Sequence, residues 1–110
     1  MSDYEFFPDE LKAQIPPLYS QERNRDPTVY MKLFTPWTNW TWYITEGEDR
    51  DCDYLMFGYV IGQEREWGYI SLNELKAVNG PFGLKIERDV HFTPKPKSQV
   101  ADMRATREET

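Results

Sequence analysis

The stretch from Thr35 to Ser71 limits this chain most. It opens with the aromatic run Thr35-Pro36-Trp37-Thr38-Asn39-Trp40-Thr41-Trp42-Tyr43-Ile44-Thr45-Glu46, continues through Phe57-Gly58-Tyr59-Val60-Ile61-Gly62 and closes on Trp67-Gly68-Tyr69-Ile70-Ser71. All four tryptophans fall inside it, together with Tyr43, Tyr54, Tyr59 and Tyr69. Period-two alternation separated by glycine-bearing and acidic breaks predicts a three-strand antiparallel meander. Trp40, Trp42 and Ile44 should share one face, with Thr41, Tyr43 and Thr45 on the other. Tyr54 to Ile61 is apolar on both faces, which suits a central strand covered on both sides. Gly58 within it marks a bulge or a close backbone approach.

The flanks complete a small α+β pattern. Phe7, Leu11 and Ile15 recur at helical spacing over a short segment with Pro8, Asp9 and Glu10 at its start, and Pro16-Pro17 ends it. Ser20 to Asp26 reads as a loop. Thr28 to Thr35 alternates Val29, Met31 and Leu33 against Tyr30, Lys32 and Phe34, which predicts one strand with a wholly buried face. Ser71-Leu72-Asn73-Glu74 matches a capping box and starts a helix expected from Leu72 to Asn79, stopped by Asn79-Gly80-Pro81 through a residue able to take positive φ. Ile86 to Phe92 alternates as a last strand, and Thr93 to Lys97 is an extended exit. The expected organisation is a single α+β domain over residues 1–97, an antiparallel sheet of about five strands with one or two short helices packed on it, followed by a flexible or frayed-helical tail over residues 98–110.

Charge and composition narrow the function classes. Leu, Ile, Val and Phe supply only 23 of 110 residues, so the 15% of aromatic residues must provide much of the buried surface. The formal charge of -6 disfavours nucleic acid as a partner, because phosphate binding needs clustered Lys and Arg. Cys52 and His91 are the only residues of their types, which leaves no zinc site of Cys/His type and no internal disulfide. The opening residues carry no signal-peptide pattern, and no apolar run reaches membrane length, so a soluble cytoplasmic protein without cofactor or metal is expected.

Each chemically suggestive feature also has an ordinary reading. Aromatics on a sheet can stack bases, although in a small domain they usually fill the core; Trp37, in a turn after Pro36, is the indole expected at the surface. Glu46, Glu48, Asp49, Asp51 and Asp53 form an acidic run that lacks the glycine and spaced glutamate of a calcium loop and reads as a solvated hairpin connection. Glu64, Glu66, Glu87 and Asp89 extend it only if neighbouring strands bring them together; otherwise they are surface partners of Arg65 and Arg88. His91 has no nucleophile in reach of sequence reasoning, and Cys52 between two aspartates is a dull thiol. Asn39-Trp40-Thr41 is a formal glycosylation sequon with no consequence in the cytoplasm.

At Asn39-Trp40-Thr41-Trp42-Tyr43, Phe57-Gly58-Tyr59-Val60, Trp67-Gly68-Tyr69-Ile70-Ser71-Leu72-Asn73-Glu74-Leu75 and Gly80-Pro81-Phe82-Gly83-Leu84-Lys85-Ile86-Glu87-Arg88-Asp89 the chain resembles the DUF2958 family. The resemblance runs from about Leu18 to Pro96. It implies a small bacterial protein of plasmids, phages and other mobile elements, found in company with antirestriction and DNA-transfer genes. It brings no catalytic residues. Trp37 ahead of the Asn39-Trp40-Thr41 core, and Trp67 where an aliphatic residue is more usual, depart from the family pattern.

The expected function is therefore a non-enzymatic binding protein of a mobile genetic element. It would engage a host or defence protein through an aromatic and acidic surface made of Trp37, Asn39, Trp40, Glu48, Asp49, Asp51, Glu64, Glu66 and Trp67, since an acidic face can occupy a basic cleft. Two alternatives are an accessory factor for single-stranded nucleic acid, using the aromatics with Arg23, Arg25, Lys32, Lys95 and Lys97, and a small nucleotide-ligand binder or enzyme.

Overall fold

A computed structural model describes residues 6–103. The chain runs α1 (Asp9–Gln14), β1 (Thr28–Val29), β2 (Met31–Phe34), β3 (Thr41–Arg50), β4 (Asp53–Ile61), β5 (Arg65–Ser71), α2 (Leu72–Ala77), β6 (Glu87–Arg88) and β7 (Lys95–Pro96). Five strands form one antiparallel sheet in the order β5-β4-β3-β2-β6, and β1 pairs with β7 in a separate two-stranded ladder. The protein is α+β, and the aromatic meander is its β3-β4-β5 centre.

The centre of the sheet is buried on both faces, because aromatic and aliphatic side chains alternate with each other along β3 and β4. On the inner face Met31, Leu33, Trp42, Ile44, Met56 and Ile70 pack under Phe7 and Ile15, which flank α1, and under Leu72 and Leu75 of α2. On the outer face Tyr43 and Tyr59 join Val29, Val100 and Met103 in a smaller cluster. The part of the expected tail that is described thus lies on the sheet as far as Met103; residues 104–110 fall outside the described residues.

A single extra residue in β3 reorganises its second half. Ile44 pairs with Gly58 and Glu46 with Phe57, so Thr45 is a bulge. A Cβ at Gly58 would collide with the Tyr43 carbonyl oxygen and lie 3.1 Å from Ile44 Cα. Glycine is therefore required by close backbone approach, as the sequence suggested. The bulge moves Glu46 and Glu48 to the outer face, since a one-residue shift inverts every later side chain. The acidic run expected to be a solvated hairpin connection is instead ladder as far as Arg50, with the turn confined to Asp51-Cys52.

Other expectations need correction. Val29, Met31 and Leu33 are buried as expected, but Thr28 to Thr35 is not one strand: the ladder breaks at Tyr30, Met31 and Leu33 enter the inner core, and Val29 pairs with Lys95 and joins the outer cluster. Within the expected extended exit Lys95–Pro96 is strand, paired with β1, and the last strand of the main sheet, expected over Ile86 to Phe92, shrinks to Glu87–Arg88. The α2 capping serine accepts from Glu74 N at 3.2 Å as predicted. The helix, however, ends at Val78 in extended backbone, and Gly80 has φ -95. Gly80 is needed for space instead, because its Cβ would stand 2.6 Å from the Trp37 indole. Trp37 is therefore half-buried against the inner core and α2's exit, not the exposed indole the turn suggested.

Candidate functional site

The outer face is only partly covered. The C-terminal segment protects Tyr43 and Tyr59, and beyond it β4 and β5 present Phe57, Trp67 and Tyr69. Antiparallel register places these rings together: Phe57 is opposite Tyr69, and Tyr59 opposite Trp67. Phe57 stacks on Trp67 with centroids 5.7 Å apart and planes 14° apart, and meets Tyr69 edge-on at 5.2 Å. Trp67 remains 39% exposed and Tyr69 54%.

The loop between α1 and β1 faces this shelf and is held by buried polar groups of β3. Glu46, only 4% exposed, accepts from Tyr19 N and Gln21 N, both at 2.8 Å, one on each carboxylate oxygen. Gln21 extends the hold, donating to the Thr45 and Thr28 carbonyls and accepting from Thr28 N. Gly47 N donates to Pro16 O at 2.9 Å, and Glu48 accepts from Leu18 N. Thus carboxylates that read as a solvated connection satisfy a turn's amide donors, and those donors are what let Glu46 be buried. Tyr19, with φ 73, turns back over the sheet and accepts a hydrogen bond from the Tyr69 hydroxyl at 3.1 Å. That bond, more than burial, raises the Tyr69 phenol above its ordinary value.

Shelf and loop enclose an open groove of about 350 Å³ with Thr45 and Glu46 at its base. Arg25 and Lys97 stand on its rim with Glu22 and Asn24. The β1-β7 ladder brings the two cations to one place: Lys97 N donates to Pro27 O at 2.8 Å, and Asp26 accepts from both Ser98 N and Ser98 Oγ. An aromatic wall, amide side chains and a rim carrying both signs of charge can hold a planar group with polar substituents.

The sequence-derived surface is distributed differently. Trp67 lines the groove. Asn39, Trp40, Glu64 and Glu66 lie at one end of the sheet, where the Trp40 ring sits 5.9 Å from Trp42 and covers Gly62. Glu48, Asp49 and Asp51 lie toward the other end: along β4 even Glu48, opposite Leu55, and Glu66, opposite Val60, are about 17 Å apart. There Asp49 is 3.7 Å from Lys12, Glu48 pairs with Arg50 at 2.7 Å, and Asp51 forms the turn with φ 54. Arg50 holds the Glu48 carboxyl below its usual range. Asp53 is lowered by the Ser71 hydroxyl and then by Asn73 N, so it serves the start of α2. Asp89 pairs with Lys32 at 3.9 Å, while Arg88 donates to Phe6 O. Trp37 packs away from all of these.

Sequence reasoning joined Arg25 and Lys97 to the aromatics in the nucleic-acid alternative, but it did not single out Phe57 and Tyr69 or bring Tyr19, Gln21 and Glu46 to the same site. Phe57 and Tyr69 were recoverable, since a hairpin folded between Ile61 and Arg65 pairs them. Arg25 and Lys97, 72 positions apart, carry no local signal of their meeting. Among the described residues no three His, Cys, Asp or Glu side chains are placed to hold a metal ion, and no helix is long and apolar enough to cross a membrane.

The family profile described as protein of unknown function DUF2958 matches residues 8–109. The chain belongs to the DUF2958 family. No curated protein and no solved structure matches it. In this chain Phe57-Gly58-Tyr59-Val60 supplies the bulge partner and one ring of the shelf, and Trp67-Gly68-Tyr69 the other two rings.

Proposed function

We propose that this DUF2958 protein is a non-enzymatic binding protein of a mobile genetic element, that it acts in the cytoplasm on a host or defence protein, and that its working surface is the outer-face groove. The observation that carries the reading is the Phe57-Trp67-Tyr69 shelf: three contacting rings, two of them substantially exposed, beside a loop locked by Glu46. Exposed aromatics held rigidly by their neighbours lose little side-chain entropy on association, which makes them natural anchors for a partner. The kind of partner is taken from the mobile-element setting that the family resemblance implies. Acidic residues at the two ends of the sheet would discourage nucleic acid from the rest of the surface.

Arg25 and Lys97 on the rim favour a second reading, in which the shelf stacks the base of a nucleotide or single strand and the cations meet its phosphate. One experiment separates the two. Tagged protein is used to capture partners from native bacterial lysate, with and without nuclease, beside a Trp67→Ser/Tyr69→Ser variant. A protein retained after nuclease and lost with the variant supports the first reading. Capture abolished by nuclease, together with oligonucleotide quenching of tryptophan emission that weakens with salt, supports the second. Equal capture by native and variant protein rejects the groove.

A further inference from the structure

β5 ends the five-stranded sheet, and among the described residues no strand pairs with its outer side. Edge strands expose amide and carbonyl groups, and proteins usually blunt them with proline, lysine, a bulge or a covering element. β5 has no proline, lysine or bulge: all seven residues keep unbroken register with β4, from Arg65 opposite Ile61 to Ser71 opposite Leu55. At its midpoint, a Cβ on Gly68 would meet nothing within 4 Å.

The strand is also complementary to itself. Two antiparallel copies centred on Gly68 would set Trp67 against Tyr69 of the second copy, Glu66 against Ile70 and Arg65 against Ser71, so no like charges face each other. We propose that β5 is a self-association edge through which two copies of this chain form a dimer with a two-fold axis at Gly68. The two sheets become one, and the aromatic shelves of the two grooves adjoin across the axis. This holds whichever partner the groove takes.

The test uses the full chain at rising concentration, with mass read by light scattering or sedimentation, and a register probe. In a Cys52→Ser background, which removes the one native thiol, Gly68→Cys should cross-link to its own image under mild oxidation. Facing Cα atoms in an antiparallel pair lie about 4.5–5.5 Å apart, within disulfide reach. Glu66→Cys should not, because its image lies four residues along, roughly 13 Å away. Tyr69→Lys should weaken the dimer at least tenfold. Native protein that stays monomeric up to millimolar concentration overturns the proposal. So does a dimer in which Gly68→Cys fails to cross-link, or in which Glu66→Cys cross-links as fast.

Discussion

Gly58 and Gly68 face each other across β4 and β5, yet they answer to different constraints. Gly58 lies under the β3 bulge, where any Cβ strikes backbone that has nowhere to move; Gly68 borders open space. Gly58→Ala should cost about 3 kcal/mol in denaturant unfolding, and Gly68→Ala should change stability by less than about 0.5 kcal/mol. Tyr54 carries a different strain. Its buried hydroxyl finds no hydrogen-bond partner among the described residues, so Tyr54→Phe should stabilise the fold by about 1 kcal/mol. Burial first, then Asp49 and Glu48, push the Tyr54 phenol up to about 12, and burial with the Asp102 bond raises Tyr43 as well. The folded state therefore holds these protons more tightly than the unfolded chain, whose phenols titrate near 10. The corresponding stability is complete below about pH 10 and is lost as pH rises from there through the folded values. Thermal midpoints should be flat from neutral pH to about 9.5 and then fall, with a shallower fall in Tyr54→Phe.

At the scale of elements, the second half of β3 holds the groove's loop in place. Read locally, Glu46 to Asp53 looks like solvent-exposed charge. The Thr45 bulge instead aims Glu46 and Glu48 at the backbone of Leu18, Tyr19 and Gln21. Glu46→Ala should cost about 2 kcal/mol, because two part-buried amides lose a charged acceptor. Hydrogen exchange should quicken at Tyr19 and Gln21 and stay slow at Ile44, whose pairing does not depend on that carboxylate. If Tyr19 and Gln21 remain protected in the variant, the loop is held by something other than Glu46.

Across the whole molecule, the two faces of one sheet are covered by different parts of the chain. The inner face takes α1 and α2, and the outer face takes the segment that follows β7. Val100 and Met103 are 5% and 3% exposed against Val29, Tyr43 and Tyr59, and the Tyr43 hydroxyl donates to Asp102 at 2.7 Å. Met103→Ala should cost about 2 kcal/mol, measured by denaturant midpoint. It should also raise exposure of the Tyr43 ring, read by tyrosine emission.

The sequence by itself determined the antiparallel meander, its strand order through β3, β4 and β5, the capped start of α2 and the need for glycine at position 58. Each follows from side-chain period, cap chemistry or turn spacing, and such signals are written within a few residues of one another. Tertiary structure alone decided which carboxylates are buried, that Trp37 covers Gly80 and not solvent, and that Tyr19, Arg25 and Lys97 meet over the Phe57-Trp67-Tyr69 shelf. One bulge reverses the faces of everything after it in β3, and the β1-β7 ladder joins segments some seventy residues apart. Neither effect leaves a trace in local periodicity, because both arise from how distant stretches of chain compete for the same backbone hydrogen bonds.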